Sequence, residues 1–249
     1  MSKIIRDFFQ NEVNSYSQNF DTHKTGTNFQ FGKRLEIACQ MVRSGDDTLL
    51  DCATGTGEIT KEVLIAGKFS SADLIDISSN MINKTRETID QVNLKTKCSF
   101  LEKDIFDYLP ILIKKRCQYD LVLCLGLIAH TGRLDELLSL LQQSLNKQGG
   151  RVILQSTVAD HFGIRLVRLL TKRRYARQKG YTISYYRLED LRKAAVRNGF
   201  RVTAEKRFGL SIPFGDKLWS TGNFFIERSA ERWAEEFGSE IIFVLEHNN

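Results

Sequence analysis

Much that would mark a specialised architecture is missing from this 249-residue chain. Only two prolines occur, with no repeat and no low-complexity tract, which excludes solenoid, collagen-like and proline-linker architectures. No apolar run reaches the roughly 18 residues of a membrane span. The opening stretch MSKIIRDFFQNEV carries acids and polar groups where a secretion signal would be apolar. The expectation is a cytoplasmic protein. The five cysteines (Cys39, Cys52, Cys98, Cys117, Cys124) share no C-x-x-C spacing, and no histidine cluster accompanies them. No metal is expected, and buried, reduced thiols are the plain reading. The formal net charge of +6 is mild, although RLVRLLTKRRYARQKG holds much of the excess.

What is there is an ordinary globular balance, 42% hydrophobic and 27% charged, at a length that suits one large α/β domain with a modest lid. Short apolar runs alternate with helix-like segments from residue 47 to about 155. DTLLDC, SADLIDIS, KCSFLEKD, YDLVLCLGL and RVILQST read as five strands. GEITKEVLIAG, SNMINKTRETIDQVN and RLDELLSLLQQSLNKQGG read as helices between them. Such alternation implies right-handed crossovers and a parallel sheet covered on both faces. RLEDLRKAAVRNGF adds a helix, RVTAEKRF a sixth strand and EIIFVLEH a closing strand. In sheets of this kind ligands bind beyond the carboxyl ends of the strands. The division expected is a helical lid over residues 1–45 and a domain over 46–249, with substrate-side insertions at about 156–187 and 208–238.

The first strand runs into LLDCATGTGEIT, a turn with Ala53, Gly55 and Gly57. A dinucleotide fingerprint would need a third glycine, and Thr60 stands there; a phosphate-binding Gly-Lys-Ser/Thr is absent as well. Glu58 opens the following helix where a phosphate would want bare N–H groups. The turn keeps the close backbone approach that glycine permits, yet is poorly built for a pyrophosphate. An adenosine ligand without phosphate fits better. Asp51 can face an amino group, Gly55 and Gly57 admit the ligand to the backbone, and Asp76 can accept both ribose hydroxyls. Asp104, after the third strand, is placed to accept the adenine amino group, with Ile77 and Ile105 as apolar walls.

These segments resemble the class I S-adenosylmethionine-dependent methyltransferases. LLDCATGTGEIT looks like their first motif, LIDISSNMINKTRE their second-strand segment, and DLVLCLGLIAHTG their fourth-strand motif. Ala53 replaces the first glycine of the motif, a variant similar to that of ubiquinone and menaquinone methyltransferases. The resemblance implies a Rossmann-like seven-stranded, mostly parallel sheet. Helices would cover both faces, lid segments would be added, and the last strand would lie antiparallel between the fifth and sixth. It also implies S-adenosyl-L-methionine as cofactor, a small-molecule acceptor, Leu125 in the cofactor pocket and Tyr16 as an aromatic folded over it.

His130, in GLIAHTGRL after the fourth strand, is the candidate general base, since a histidine ordinarily titrates near 6.5. Its alternatives are a cap for the helix at Arg133 or a pocket wall. His161 is second choice. The run 162–179 joins an apolar stripe (Phe162, Leu166, Leu169, Leu170) to a row of arginines and lysines. That run reads as a lid helix, or as a contact for an anionic lipid surface or acidic metabolite, with nucleic acid disfavoured. Tyr181, Tyr185 and Tyr186 could line an aromatic pocket. A hydroxyl acceptor is favoured, with carbon or nitrogen methylation, or a non-catalytic binding protein of the same fold, as alternatives. A nicotinamide oxidoreductase fails on the missing third glycine.

Overall fold

The computed structural model describes residues 2–20, 25–166, 169, 180–210, 212 and 215–248. Seven strands, β1 (Thr48–Asp51), β2 (Ser71–Asp76), β3 (Lys97–Glu102), β4 (Leu121–Cys124), β5 (Arg151–Thr157), β6 (Phe200–Phe208) and β7 (Glu240–His247), form one sheet. Its order is β3-β2-β1-β4-β5-β7-β6, parallel except that β7 runs antiparallel between β5 and β6. The expected Rossmann-like sheet and the insertion of EIIFVLEH are both present. β4 and the first six residues of β5 are buried, as a central strand covered on both faces must be.

Helices α3 (Gly26–Gln40), α4 (Glu58–Ala66) and α5 (Ser79–Asp90) close one face, where Ile37, Val63, Leu64 and Ile89 meet Leu49, Leu74, Leu121 and Ile153. Helices α6 (Ile105–Lys114), α8 (Leu134–Ser144) and α9 (Leu188–Arg197) close the other against Leu50, Val122, Val152 and Phe243. Side chains alternate across each strand, so one strand feeds both cores.

Helix α6 has no counterpart in the sequence expectations. Pro110 sits inside it and removes one backbone donor, yet Ile105, Phe106, Leu109 and Leu112 bury an apolar face and Asp104 caps its start. Tertiary burial outweighs the local penalty. His130 likewise lies not in open loop but in the one-turn helix α7 (Ile128–Thr131). The excursion at 208–238 carries α10 (Gly215–Ser229) and α11 (Glu231–Phe237).

The N-terminal helices α1 (Ser2–Asn11) and α2 (Val13–Ser17) fold back over the carboxyl edge of the sheet. Gln10 donates from Nε2 to Ser79 Oγ (2.8 Å) and Ser17 Oγ donates to Glu58 Oε1 (2.8 Å). Asp216 of α10 accepts from the backbone N–H groups of Gly26 (2.7 Å) and Thr27 (3.1 Å), capping α3. The N-terminal segment and the late excursion are thereby tied together.

Candidate functional site

The β1–α4 turn is built from buried acids and left-handed glycines. Gly55 (φ 59°) and Gly57 (φ 86°) adopt backbone that disfavours any side chain, and the Tyr16 ring covers Gly55, with Cε1 3.0 Å from where a Cβ would stand. Tyr16, the aromatic expected near this turn, thus packs directly on its first left-handed glycine. Asp76, 9% exposed at the end of β2, accepts from Gly55 N through Oδ2 (3.0 Å) and from Ser78 N through Oδ1 (2.9 Å). Burial pushes its carboxyl up to about 7, with those N–H groups pulling back. The Ile77 N–H acts on the same carboxylate, whose acceptor sites are not exhausted by these donors.

Asp51 lies deeper. Its Oδ2 accepts from Thr60 Oγ1 (2.6 Å) and its Oδ1 from Ala53 N (3.2 Å), and burial raises it to about 6. These bonds make Asp51 the brace of the turn, and they explain Thr60 at the third-glycine position: its hydroxyl holds the acid. Glu58 accepts from Thr56 as well as from Ser17, so the acid that opens α4 anchors the end of α2.

Asp104 follows at the end of β3, one residue after Lys103, whose N–H reaches Asp76 O (2.9 Å). It accepts from Phe106 N (3.0 Å) as the cap of α6, leaving its other oxygen without a hydrogen bond among the described residues. Ile77 is half-buried, while Ile105 and Leu125 are buried in the two cores.

One buried charge escaped the sequence reading. Arg34, on α3, is 9% exposed, and no hydrogen bond or ion pair among the described residues engages it; its Nε is buried without a partner. The guanidinium stands 4.6 Å from the Phe31 ring centroid, and its Nη1 would lie 3.7 Å from a Cβ on Gly126, the turn after β4. Its charge is also the chief influence opposing the rise that burial imposes on the Tyr16 hydroxyl. It is likewise the chief influence opposing the rise that burial imposes on the Glu240 carboxyl, and a buried guanidinium with unspent donors suits a further anion. The signal was present in sequence: Phe31, Arg34, Ile37 and Ala38 recur at helical spacing, with one cation among apolar neighbours.

After β4, His130 Nδ1 and the Tyr181 hydroxyl stand 2.8 Å apart. Phe9 packs edge-on against the imidazole (5.1 Å) and Phe8 against the Tyr181 ring (5.7 Å). His130 therefore does not cap the following helix; Arg133 occupies that position. Of the tyrosine group, Tyr181 joins His130 whereas Tyr186 packs on the core and pairs with Val158. His161 is half-buried beside Arg207, and burial lowers its pKa. Most of the basic run 162–179, and with it the expected lipid contact, lies outside the described residues; Phe162 is 77% exposed.

Among the described residues no cluster of three or more His, Cys, Asp or Glu could hold a metal ion, and no helix is long and apolar enough to cross a membrane. The residues present do fit S-adenosylmethionine: buried acids and left-handed glycines suit a nucleoside without phosphate, and a buried guanidinium with no hydrogen bond among the described residues suits a carboxylate.

The sequence profile of a family described as a methyltransferase domain matches residues 12–205. A comparison with curated proteins returns no match. Among solved structures, a cyclopropane synthase from Mycobacterium tuberculosis superposes with a TM-score of 0.65 at 14% identity, covering 98% of this chain and 97% of its own. The magnesium protoporphyrin IX methyltransferase of Synechocystis PCC 6803, with S-adenosylhomocysteine bound, gives 0.62 at 14% identity over 98% and 99%. A mitomycin 7-O-methyltransferase gives 0.58 at 14% identity over 93% and 60%. At such identities the likeness shows the fold.

Proposed function

The chain belongs to this methyltransferase-domain family, and we propose that it transfers a methyl group from S-adenosylmethionine to the hydroxyl of a small molecule. When bound, the cofactor supplies an electrophilic methyl on a sulfonium. The chain supplies position, charge and a place for the proton. Asp76 receives the ribose hydroxyls, and Gly55 and Gly57 let the nucleoside reach the backbone under Tyr16. Arg34 takes the methionine carboxylate beside Leu125. Asp104 offers its remaining oxygen to the adenine amino group between Ile77 and Ile105. Asp51, engaged by Thr60 and Ala53, braces the turn and sets a negative field for the amino group.

One observation carries the choice of a hydroxyl acceptor: the His130–Tyr181 contact at 2.8 Å. Burial holds the Tyr181 phenol well above its usual range, with Glu12 adding to the effect, so it stays protonated. If Nδ1–H donates to the Tyr181 oxygen, Nε2 carries a lone pair and can take the proton of an acceptor hydroxyl. The reverse tautomer would make Nε2 a donor. Tyr181 is thus a positioning residue for His130. Specificity falls to the segments 1–45, 156–187 and 208–238, and the basic run 162–179 suits an acceptor, or an anionic lipid surface, of negative charge.

The test is turnover of hydroxylated acceptors by His130→Gln. The expected result is unchanged S-adenosylhomocysteine affinity with turnover lower by ~10²–10⁴, and loss of the rise in rate across the pH range where imidazole deprotonates. Near-normal turnover with an intact pH profile would remove His130 as base.

A further inference from the structure

Gln155 and Glu240 are buried polar groups that the proposed reaction leaves unused. Gln155, on β5, is 2% exposed, and Glu240, at the first position of β7, is 6% exposed. Both lie at the carboxyl edge of the sheet, since Glu240 pairs with Thr157 in the β5–β7 register. Glu240 accepts from Thr157 Oγ1 (2.8 Å) and from Gln155 Nε2.

That second bond orients the amide. Burial raises the Glu240 carboxyl, the nearby Arg34 charge favours its ionised form, and toward that acceptor Gln155 turns its NH₂, so that the amide oxygen faces away. Oε1 is indeed turned to the Gly126 turn, 3.6 Å from where a Cβ would stand, and it is buried without a partner. Arg34 Nη1 approaches the same point at 3.7 Å. An acceptor and a cationic donor, neither hydrogen-bonded among the described residues, thus converge over one glycine whose φ of 77° disfavours a side chain. A group that fills this place must offer an anion to one side and an N–H or O–H donor to the other. An α-amino acid end has that pairing, and a carboxylate or an amine alone has half of it.

We propose that Gln155 Oε1 receives the ammonium of the cofactor's methionine end while Arg34 holds its carboxylate, with Glu240 fixing the Gln155 amide in the receiving orientation. This rests on the cofactor reading above. Glu240 acts through Gln155 and is a positioning residue. Thr157 braces the carboxylate from its other side.

Three nucleosides separate the roles: S-adenosylhomocysteine with both charged groups, S-adenosyl-3-thiopropylamine with the ammonium alone, and 5′-methylthioadenosine with neither. Titration calorimetry on Gln155→Met is expected to show roughly tenfold loss for the first two and none for the third, the scale of one charge-assisted hydrogen bond. Arg34→Met is expected to weaken S-adenosylhomocysteine while sparing the amine. Should Gln155→Met fail to fold, Glu240→Gln serves. Its new amide satisfies either orientation of Gln155 and removes a negative charge, so the thiopropylamine should bind several-fold weaker with methylthioadenosine unchanged. Equal losses for all three nucleosides, or none, would overturn the proposal. Wild-type protein that binds none of them would instead overturn the cofactor reading.

Discussion

Two buried arginines stand at opposite edges of the same sheet, and they are used in opposite ways. Arg151 opens β5 at the amino edge, 1% exposed. Its guanidinium donates from Nη1 to Asp46 Oδ1 (2.7 Å), from Nη2 to Asp46 Oδ2 (2.5 Å) and from Nε to Met41 O (3.1 Å). Arg34, at the carboxyl edge, is nearly as buried and has no such partner among the described residues. The first spends its donors inside the protein, so the fold depends on it. The second makes no hydrogen bond among the described residues and meets the field of the Glu240 carboxylate, so its donors remain open to the anion proposed above. An interior cation is thus a statement about stability or about binding according to where its hydrogen bonds go.

The largest effects expected are those that break this contrast. Arg151→Met strands Asp46 as a buried, unpaired acid, which should cost about 3–5 kcal/mol of stability, on the order of 10 °C in melting temperature. S-adenosylhomocysteine affinity of the folded fraction should not change. Arg34→Met should do the reverse, leaving the melting temperature level or higher and weakening S-adenosylhomocysteine by about 2–3 kcal/mol. Scanning calorimetry and titration of both variants check the pair. Equal destabilisation by the two would make Arg34 a structural residue.

The same contrast explains what was legible in the sequence. Strands at the sheet centre announce themselves, because burial on two faces demands runs such as LVLC and RVIL. The turn was legible too: left-handed Gly55 and Gly57 and the acids Asp51 and Asp76 are local requirements, and local requirements leave a local pattern. Helix α6 was hidden by Pro110, whose penalty is local while the compensating burial of Leu109 and Leu112 is not. Arg34, Gln155 and Glu240 come from α3, β5 and β7, so the meeting of Arg34 and Gln155 over Gly126, with Glu240 behind Gln155, exists only once the sheet has formed. The partnership of His130 with Tyr181, 51 residues apart, was invisible for the same reason.

A smaller effect sharpens the carboxyl edge by pH. Burial holds the Asp76 carboxyl at about 7 in the ligand-free protein, above its value of 3.8 in an open chain. A raised acid contributes most to stability below the open-chain value, and that contribution is lost as pH rises through 7. Ligand binding runs the other way. Ribose hydroxyls donate to the charged form, so S-adenosylhomocysteine should expel a proton when it binds under mildly acidic conditions. Its affinity should rise by up to about tenfold per pH unit below 7 and level off above. Calorimetry in buffers of different ionisation heat measures the proton directly. Constant affinity across neutrality with no proton released would separate Asp76 from the ribose.

The smallest effect concerns Asp104, where both uses of a polar side chain meet in one residue. One oxygen caps α6 by accepting from Phe106 N, as the bonds of Arg151 serve the fold. The other is the group proposed to accept the adenine amino hydrogen, as Arg34 is kept for a ligand. Asp104→Ala should lose both, at about 1 kcal/mol of stability for the cap and a similar loss of affinity. Asp104→Ser restores a capping hydroxyl at the same position but is too short to reach a base. It should recover the melting temperature and not the affinity. S-inosylhomocysteine, which carries an oxygen in place of the adenine amino group, supplies the discriminating ligand. The wild-type protein should prefer the adenosine compound, because two acceptors facing each other repel, whereas Asp104→Ser should bind both alike. If Asp104→Ser keeps the full preference for adenosine, Asp104 is a helix cap alone and the amino group is read by another residue.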